Sequence, residues 1–413
     1  MITLSPISRA LVPVDSAAAA RVSAPNYDEF QSDIEVWELL RERPDSVLSV
    51  TMAHCDAALP REMLEADSEA SLERARQNML ALRGSALVRV IDDALFVYEI
   101  TGPRNPGIRQ IGLGGMARTD QIRTEASPRG PIIRNEGVRE AKARGRARLI
   151  EVTEAFIGTV NNAVPDADGS VAAALEAFAD ARPADLEVSD AHGNRHRVWL
   201  VQDPQDAEAL QAKLGAEPEA YVADGNHRSA AAAMLGREHF LAVFFTAGRM
   251  GIAPYNRLVR DIAVSADELL GALAVAFDVR RVGDPAKAQP SVPGTVGLYD
   301  REHGWLHLTP RPHTFDPTDA VQVIDHDIVH RNLFAGVLGI ADAEDERLAF
   351  VGANRDVAWL REEVDAGRAT YAVTLAAVPM ARFMAVCHQG GFMPPKSTWF
   401  EPKIRSGLVM ALL

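Results

Sequence analysis

Apolar positions recur along this chain with two periods, and they predict short strands alternating with helices. From Ser68 to Leu82, the residues Leu72, Ala75, Met79 and Leu82 fall on one face at helical spacing. After Arg83-Gly84 the pattern becomes strand-like, and Ala86 to Ile91 and Leu95 to Ile100 flank Asp92-Asp93 as a predicted hairpin. Gly112 to Gly115 (GLGG) reads as a backbone turn rather than a phosphate loop, because no GxxxxGK followed by Ser or Thr occurs anywhere. From Asn135 the chain is predicted helical, with Leu149, Val152, Phe156 and Val160 as one apolar stripe. Its basic residues Arg139, Lys142, Arg144, Arg146 and Arg148 read as a solvated face paired with Glu136 and Glu140. An alanine-rich helix over Val171 to Ala181 follows, then two strands within Leu186 to Val201 around His192-Gly193-Asn194. Tyr221 to Ala223 predicts a strand end, Asp224-Gly225 a tight turn, Asn226 to Leu235 a helix and Phe240 to Thr246 the next strand. The apolar tail Gly407 to Leu413 reads as a strand completing its own core.

Composition narrows the function classes. A chain of 413 residues is long enough for two or three domains. Its formal charge of −14 opposes general nucleic-acid binding. The longest uncharged stretches, such as Ala369 to Ala381, fall short of the roughly 20 residues of a membrane span. Two cysteines outside any CxxC spacing, and an N-terminus interrupted by Asp15 and two prolines, read as mature cytoplasmic sequence with no membrane partner.

The strand, turn and helix around Asp224 carry the clearest chemistry. A helix start offers free N–H groups and a positive dipole end, which together make an anion site. Gly225 permits close backbone approach, and His227 and Arg228 add donors. The plainer alternative is that Asp224 caps the helix and pairs with Arg228. Other groupings carry less. His326, Asp327 and His330 lack the glutamate of an HExxH site and read as a satisfied helix surface. His192 and His196 flank a turn, and His54-Cys55-Asp56 has no partner at ligand spacing. No GxSxG elbow is present.

The segment VADGNHRSAAAAMLG resembles the DGHHR segment of the DUF1015 family, a domain of unknown function. Pro394 to Met410 (PPKSTWFEPKIRSGLVM) resembles that family's C-terminal signature, and Ile133-Arg134-Asn135-Glu136 its Arg-His-Glu motif. The likeness runs from about Ile133 to Leu413, with Ser23 to Tyr27 (SAPNY) resembling the N-terminal turn. The same motifs resemble those of the ADP-dependent free-serine kinases of the ParB and sulfiredoxin superfamily. Asn226 and Asn135 stand where those motifs have histidines. The resemblance implies an α+β fold with an N-terminal α/β extension over 1–130, a ParB/sulfiredoxin-like phosphate-binding core over 131–250 and a C-terminal α/β domain over 251–413.

It also implies roles. Glu136 would be the base that accepts the proton of an acceptor hydroxyl, and Asp224 would hold Mg²⁺ or orient His227. Gly225, Asn226, His227, Arg228 and Lys396 would bind the phosphates of ADP or ATP; Ser397, Thr398 and Trp399 would contact the substrate. Core packing is the alternative for Trp399 and Phe400. The expected activity is a small-molecule kinase acting on a hydroxylated metabolite, with free L-serine the leading acceptor. A sulfiredoxin is excluded because Asn226 stands where its cysteine would be, and a ParB-like clamp is opposed by the charge. A non-catalytic nucleotide or phosphometabolite sensor would keep the same pocket without needing Glu136, and oligomeric state is left open.

Overall fold

Val88–Thr101 forms one continuous strand of 14 residues in the computed structural model of the protein, which describes every residue except 61, 62, 105, 126 and 344 and the side chain of 266. The hairpin expected about Asp92-Asp93 is therefore corrected. Both aspartates are exposed, and Asp93 takes a left-handed φ of 48° inside the strand, where its partners change. Up to Ala94 the strand pairs with Ile7–Pro13; beyond it the strand lies between Gln110–Arg118 and Arg195–Val201. Each half satisfies its ladder against a different segment, so the chain has no need to turn back on itself.

This strand belongs to a mixed 12-stranded sheet in a unit formed by Met1–Met250 and Pro402–Leu413. The edge expected near residue 130 falls inside that sheet, because Gln110–Arg118 pairs with His239–Thr246. The tail strand Met410–Leu412 lies between Ile7–Pro13 and Ala155–Phe156, as its apolar run predicts. GLGG is neither turn nor loop but the middle of the Gln110–Arg118 strand. A Cβ at Gly114 would stand 2.1 Å from the Phe96 ring, and one at Gly112 2.6 Å from the Phe244 carbonyl, so these glycines make room for close packing.

The basic segment also differs from the expected stripe. Its helix spans Glu140–Thr153 and stops where Glu154 turns left-handed, and Phe156 and Val160 belong to strands. The aromatic and β-branched residues after Glu154 find sheet partners, which outweighs continued helical spacing. The alanine-rich helix is Ser170–Asp180, and Leu186–Ser189 pairs antiparallel with Arg195–Val201.

Gly251–Glu401 forms the second unit. Its six-stranded sheet is antiparallel, in the order Phe277–Arg281, Gly304–Pro310, Val296–Asp300, Tyr371–Leu375, Asn256–Val259 and Leu348–Val351. Leu269, Leu273, Phe277, Leu298 and Val373 centre its core. His326 is buried rather than on a helix surface, with Nε2 against the Tyr255 carbonyl at 3.1 Å. No helix among the described residues is long and apolar enough to cross a membrane.

Candidate functional site

Two short parallel strands place the candidate residues. Ala220–Asp224 pairs in parallel with Ile132–Ile133, with Ala220 opposite Ile132 and Tyr221 opposite Ile133. Both run toward the same end, so Asn135-Glu136 and Asp224 to Arg228 emerge side by side beyond the carboxyl ends of adjacent strands. Open sheets in mixed folds commonly bind ligands at such ends. The helix after each strand, Glu140–Thr153 and Asn226–Met234, packs against the other. Ser229, Ala230, Ala231 and Ala232 are buried, which lets the second helix approach its neighbours closely.

Gly225 is the N-cap of that second helix, with φ of 108°. Only glycine adopts this conformation without strain. A Cβ there would lie 3.0 Å from Arg228 Nε, and one at Gly158 would lie 3.1 Å from Arg228 Cδ. Arg228 thus occupies space left by two absent side chains. Its Nη1 donates to the Thr159 carbonyl at 2.6 Å and its Nη2 to Asp224 Oδ1 at 3.1 Å. Asp224 makes the pairing foreseen as the plainer alternative but does not cap the helix.

Asp224 has a second cation beside it. Lys403 Nζ lies 3.1 Å from Asp28 Oδ2 and 3.5 Å from Asp224 Oδ2, with the lysine side chain only 11% exposed. Lys403 and Asp28 were not among the predicted site residues; the PNYDE turn and the KIRSG segment carry them, and only the fold brings them together. With Arg228 on one oxygen and Lys403 on the other, Asp224 does not present the open carboxylate that a protein-held Mg²⁺ requires.

The two positions that depart from the motif touch. Asn226 Nδ2 donates to Asn135 Oδ1 at 2.6 Å, and both residues are buried. One buried amide pair therefore stands at the two positions where the resembling motifs carry histidines. His227 lies on the other flank, where Nε2 accepts the backbone N–H of Arg139 at 3.2 Å. Glu136, next in sequence to Asn135, is half-buried.

A cleft adjoins Arg228 and is walled by Tyr27, Leu149, Phe156, Ile157 and Val160. Arg146 is not part of a solvated face, because its guanidinium stacks 4.7 Å from the Tyr27 ring centroid. Nearby, Arg405 Nε donates to Ser23 Oγ at 3.1 Å. Burial and the Asp28 carboxylate push Glu29 up to about 7. The folded state then holds that proton more tightly than the unfolded chain, so the associated stability is full below about 4.5 and lost as pH rises through about 7. Denaturant unfolding across that window should show wild type losing stability relative to Glu29→Gln as pH rises.

The C-terminal motif residues lie in the second unit. Lys396 has φ of 54° and its Nζ stands 5.8 Å from the Tyr255 ring centroid. Ser397 is fully buried, with a hydroxyl lacking a hydrogen-bond partner among the described residues, and Thr398 is buried beside it. Trp399 packs edge-on to Tyr255 at 5.2 Å, and Phe400 edge-on to Phe383 at 5.1 Å, which matches the core-packing alternative for both. The substrate role of Ser397, Thr398 and Trp399 rests on the motif alone.

The family model described as protein of unknown function (DUF1015) matches residues 4–328. The match takes in the N-terminal third that the motifs touch only at SAPNY, and it ends before the Lys396 segment. No curated protein matches the chain. Among solved structures, a free serine kinase in complex with AMP is 13% identical over 71% of this chain and 92% of its own, with a TM-score of 0.39. A conserved hypothetical protein from Pyrococcus furiosus is 11% identical over 70% and 92%, with a TM-score of 0.37. SbnI with a C-terminal truncation, from Staphylococcus aureus, is 10% identical over 70% and 84%, with a TM-score of 0.38.

Proposed function

We propose, for a chain that belongs to the DUF1015 family of proteins of unknown function, that its first unit is a small-molecule kinase that binds ADP or ATP and phosphorylates a hydroxylated metabolite, free L-serine first among the acceptors. The carrying observation is the convergence of Glu136 with the Gly225 to Arg228 helix start at the ends of two parallel strands. We read this strand, turn and helix as the ParB/sulfiredoxin-like phosphate-binding core that the motifs imply.

Phosphoryl transfer asks mainly for positioned cations and N–H donors, with one base for the nucleophile. The helix start and Arg228 supply donors, and Asp224 holds Arg228 and Lys403 in place. The apolar cleft beside Arg228 suits the base and sugar of the nucleotide. The acceptor oxygen forms a bond to the terminal phosphorus while the bond to the leaving phosphate oxygen breaks. Glu136 takes the acceptor proton, and AMP leaves from ADP or ADP from ATP. Mg²⁺, in this reading, arrives on the nucleotide's own phosphates.

The buried Asn135–Asn226 amide pair favours a second reading. A pocket without its two imidazoles suits a sensor that binds nucleotide or phosphometabolite without turnover. Titration of ADP into wild type and Arg228→Ala tests the binding claim common to both. Loss of a charge-assisted phosphate contact is expected to weaken affinity about 10- to 100-fold. Equal affinity in a folded variant would place the phosphates elsewhere.

A further inference from the structure

We infer that Asp33, His54 and Cys55 form a binding site for a single transition-metal ion of the zinc class, open to the cleft that reaches His227. The sequence shows His54-Cys55 without a partner at ligand spacing, because the third ligand comes from a separate helix. Asp33 opens the helix Asp33–Glu42 behind the Ser32 cap, while His54 and Cys55 occupy the short helical turn Ala53–Cys55 packed against it. One ligand atom from each residue lies within 4.8 Å of the other two.

The spacing fits an ion better than a direct hydrogen bond. His54 Nε2 is 3.4 Å from Asp33 Oδ1, beyond the usual hydrogen-bond range of about 2.7–3.2 Å. A tetrahedral ion with bonds of about 2.0–2.2 Å to nitrogen and oxygen holds those two atoms about 3.4 Å apart. Its sulfur ligand, at about 2.3 Å, sits about 3.6 Å from each. Small side-chain shifts close the present spacing to that geometry. His54 and Cys55 are buried, so two ligands are fixed by packing, and the exposed Asp33 carboxylate can swing onto the ion.

The donor set selects the metal. One thiolate, one imidazole and one carboxylate suit a borderline ion such as Zn²⁺ and exclude Mg²⁺ or Ca²⁺, which demand oxygen. Three protein ligands leave a fourth position, the arrangement of zinc sites that meet a ligand rather than purely structural ones. Asp33 and His54 line a cleft whose other walls include Lys142, Arg146 and His227. The cleft thus carries the cationic side chains of Lys142 and Arg146 beside the metal ligands, and an anionic oxygen of a phosphate or carboxylate is the ligand class that suits both. This inference stands independently of the kinase reading.

The test uses the full-length protein, stripped with chelator and titrated with Zn²⁺ against a chromophoric competitor, and separately loaded with Co²⁺. One equivalent of Zn²⁺ per chain is expected, with a thiolate-to-cobalt charge-transfer band in the near ultraviolet. Cys55→Ser should abolish that band. Asp33→Asn, at an exposed position where folding is preserved, should weaken Zn²⁺ by more than the roughly 10- to 100-fold that loss of an outer-shell partner costs. Absence of the thiolate band in the wild type, or equal Zn²⁺ affinity in wild type and Asp33→Asn, would overturn the assignment.

Discussion

Glu136→Gln is expected to lower phosphoryl transfer by about 10²- to 10⁴-fold, the usual contribution of a positioned general base. Nucleotide affinity should be unchanged. The glutamine keeps the volume and one acceptor oxygen of the side chain but cannot take the nucleophile's proton. Glu136 reaches its place by simple means: Ile132–Ile133 is buried beside the Ala220–Asp224 strand, and the residue emerges three positions later, half-buried near the Asn226–Met234 helix start. Steady-state turnover alongside calorimetric titration separates the roles. A variant that loses both turnover and fold would make Glu136 a structural ion-pair partner, whereas one that keeps full turnover would remove it from the chemistry.

Lys403→Met should have the largest effect on stability. The lysine side chain is 11% exposed and stands between Asp28, 11% exposed, and Asp224, 23% exposed. Removing the cation leaves Asp28 without its 3.1 Å partner at a poorly solvated position, while Arg228 still faces Asp224; stranding one charge of a buried pair typically costs about 3–5 kcal/mol. Methionine preserves the stem, so the loss reports charge rather than packing. Adding Asp28→Asn to Lys403→Met should recover part of it, because the stranded charge is then gone. Denaturant unfolding of wild type and the single and double variants measures this directly, and a single variant as stable as wild type would show that Lys403 contributes no net stabilisation to the site.

The local units around the site were legible because each is written in contiguous sequence. Asp224-Gly225 followed by NHRSAAAAM has a breaker, free donors and small residues in the order that a strand, turn and helix demand, and the structure builds that unit. The Ser68 to Leu82 periodicity likewise becomes the helix Glu69–Arg83, with Leu72, Ala75, Met79 and Leu82 buried. Local pattern fails where a distant partner decides. Asp92-Asp93 carries turn chemistry, yet ladders on either side keep the strand going. Phe156 and Val160 keep helical spacing, yet sheet pairing claims them. GLGG reads as a turn until the Phe96 ring accounts for one of its glycines.

The site divides the same way. Residue types at Asp224 to Arg228 announce anion chemistry, but that Arg228 and Lys403 both neutralise Asp224 depends on segments some 180 positions apart in sequence. Asn135 and Asn226, 91 positions apart, are hydrogen-bond partners, so a change at either position alters the partner of the other. Asp33 meets His54 only through the packing of two helical segments, which no ligand spacing in the sequence encodes.

Phosphorus NMR of the wild-type protein with ADP, Mg²⁺ and L-serine decides whether the pocket transfers a phosphoryl group. O-phosphoserine and AMP are expected in equal amounts as ADP disappears. Bound nucleotide that stays intact, with ADP and with ATP and across a panel of small alcohols, would contradict phosphoryl transfer and leave the pocket a sensor.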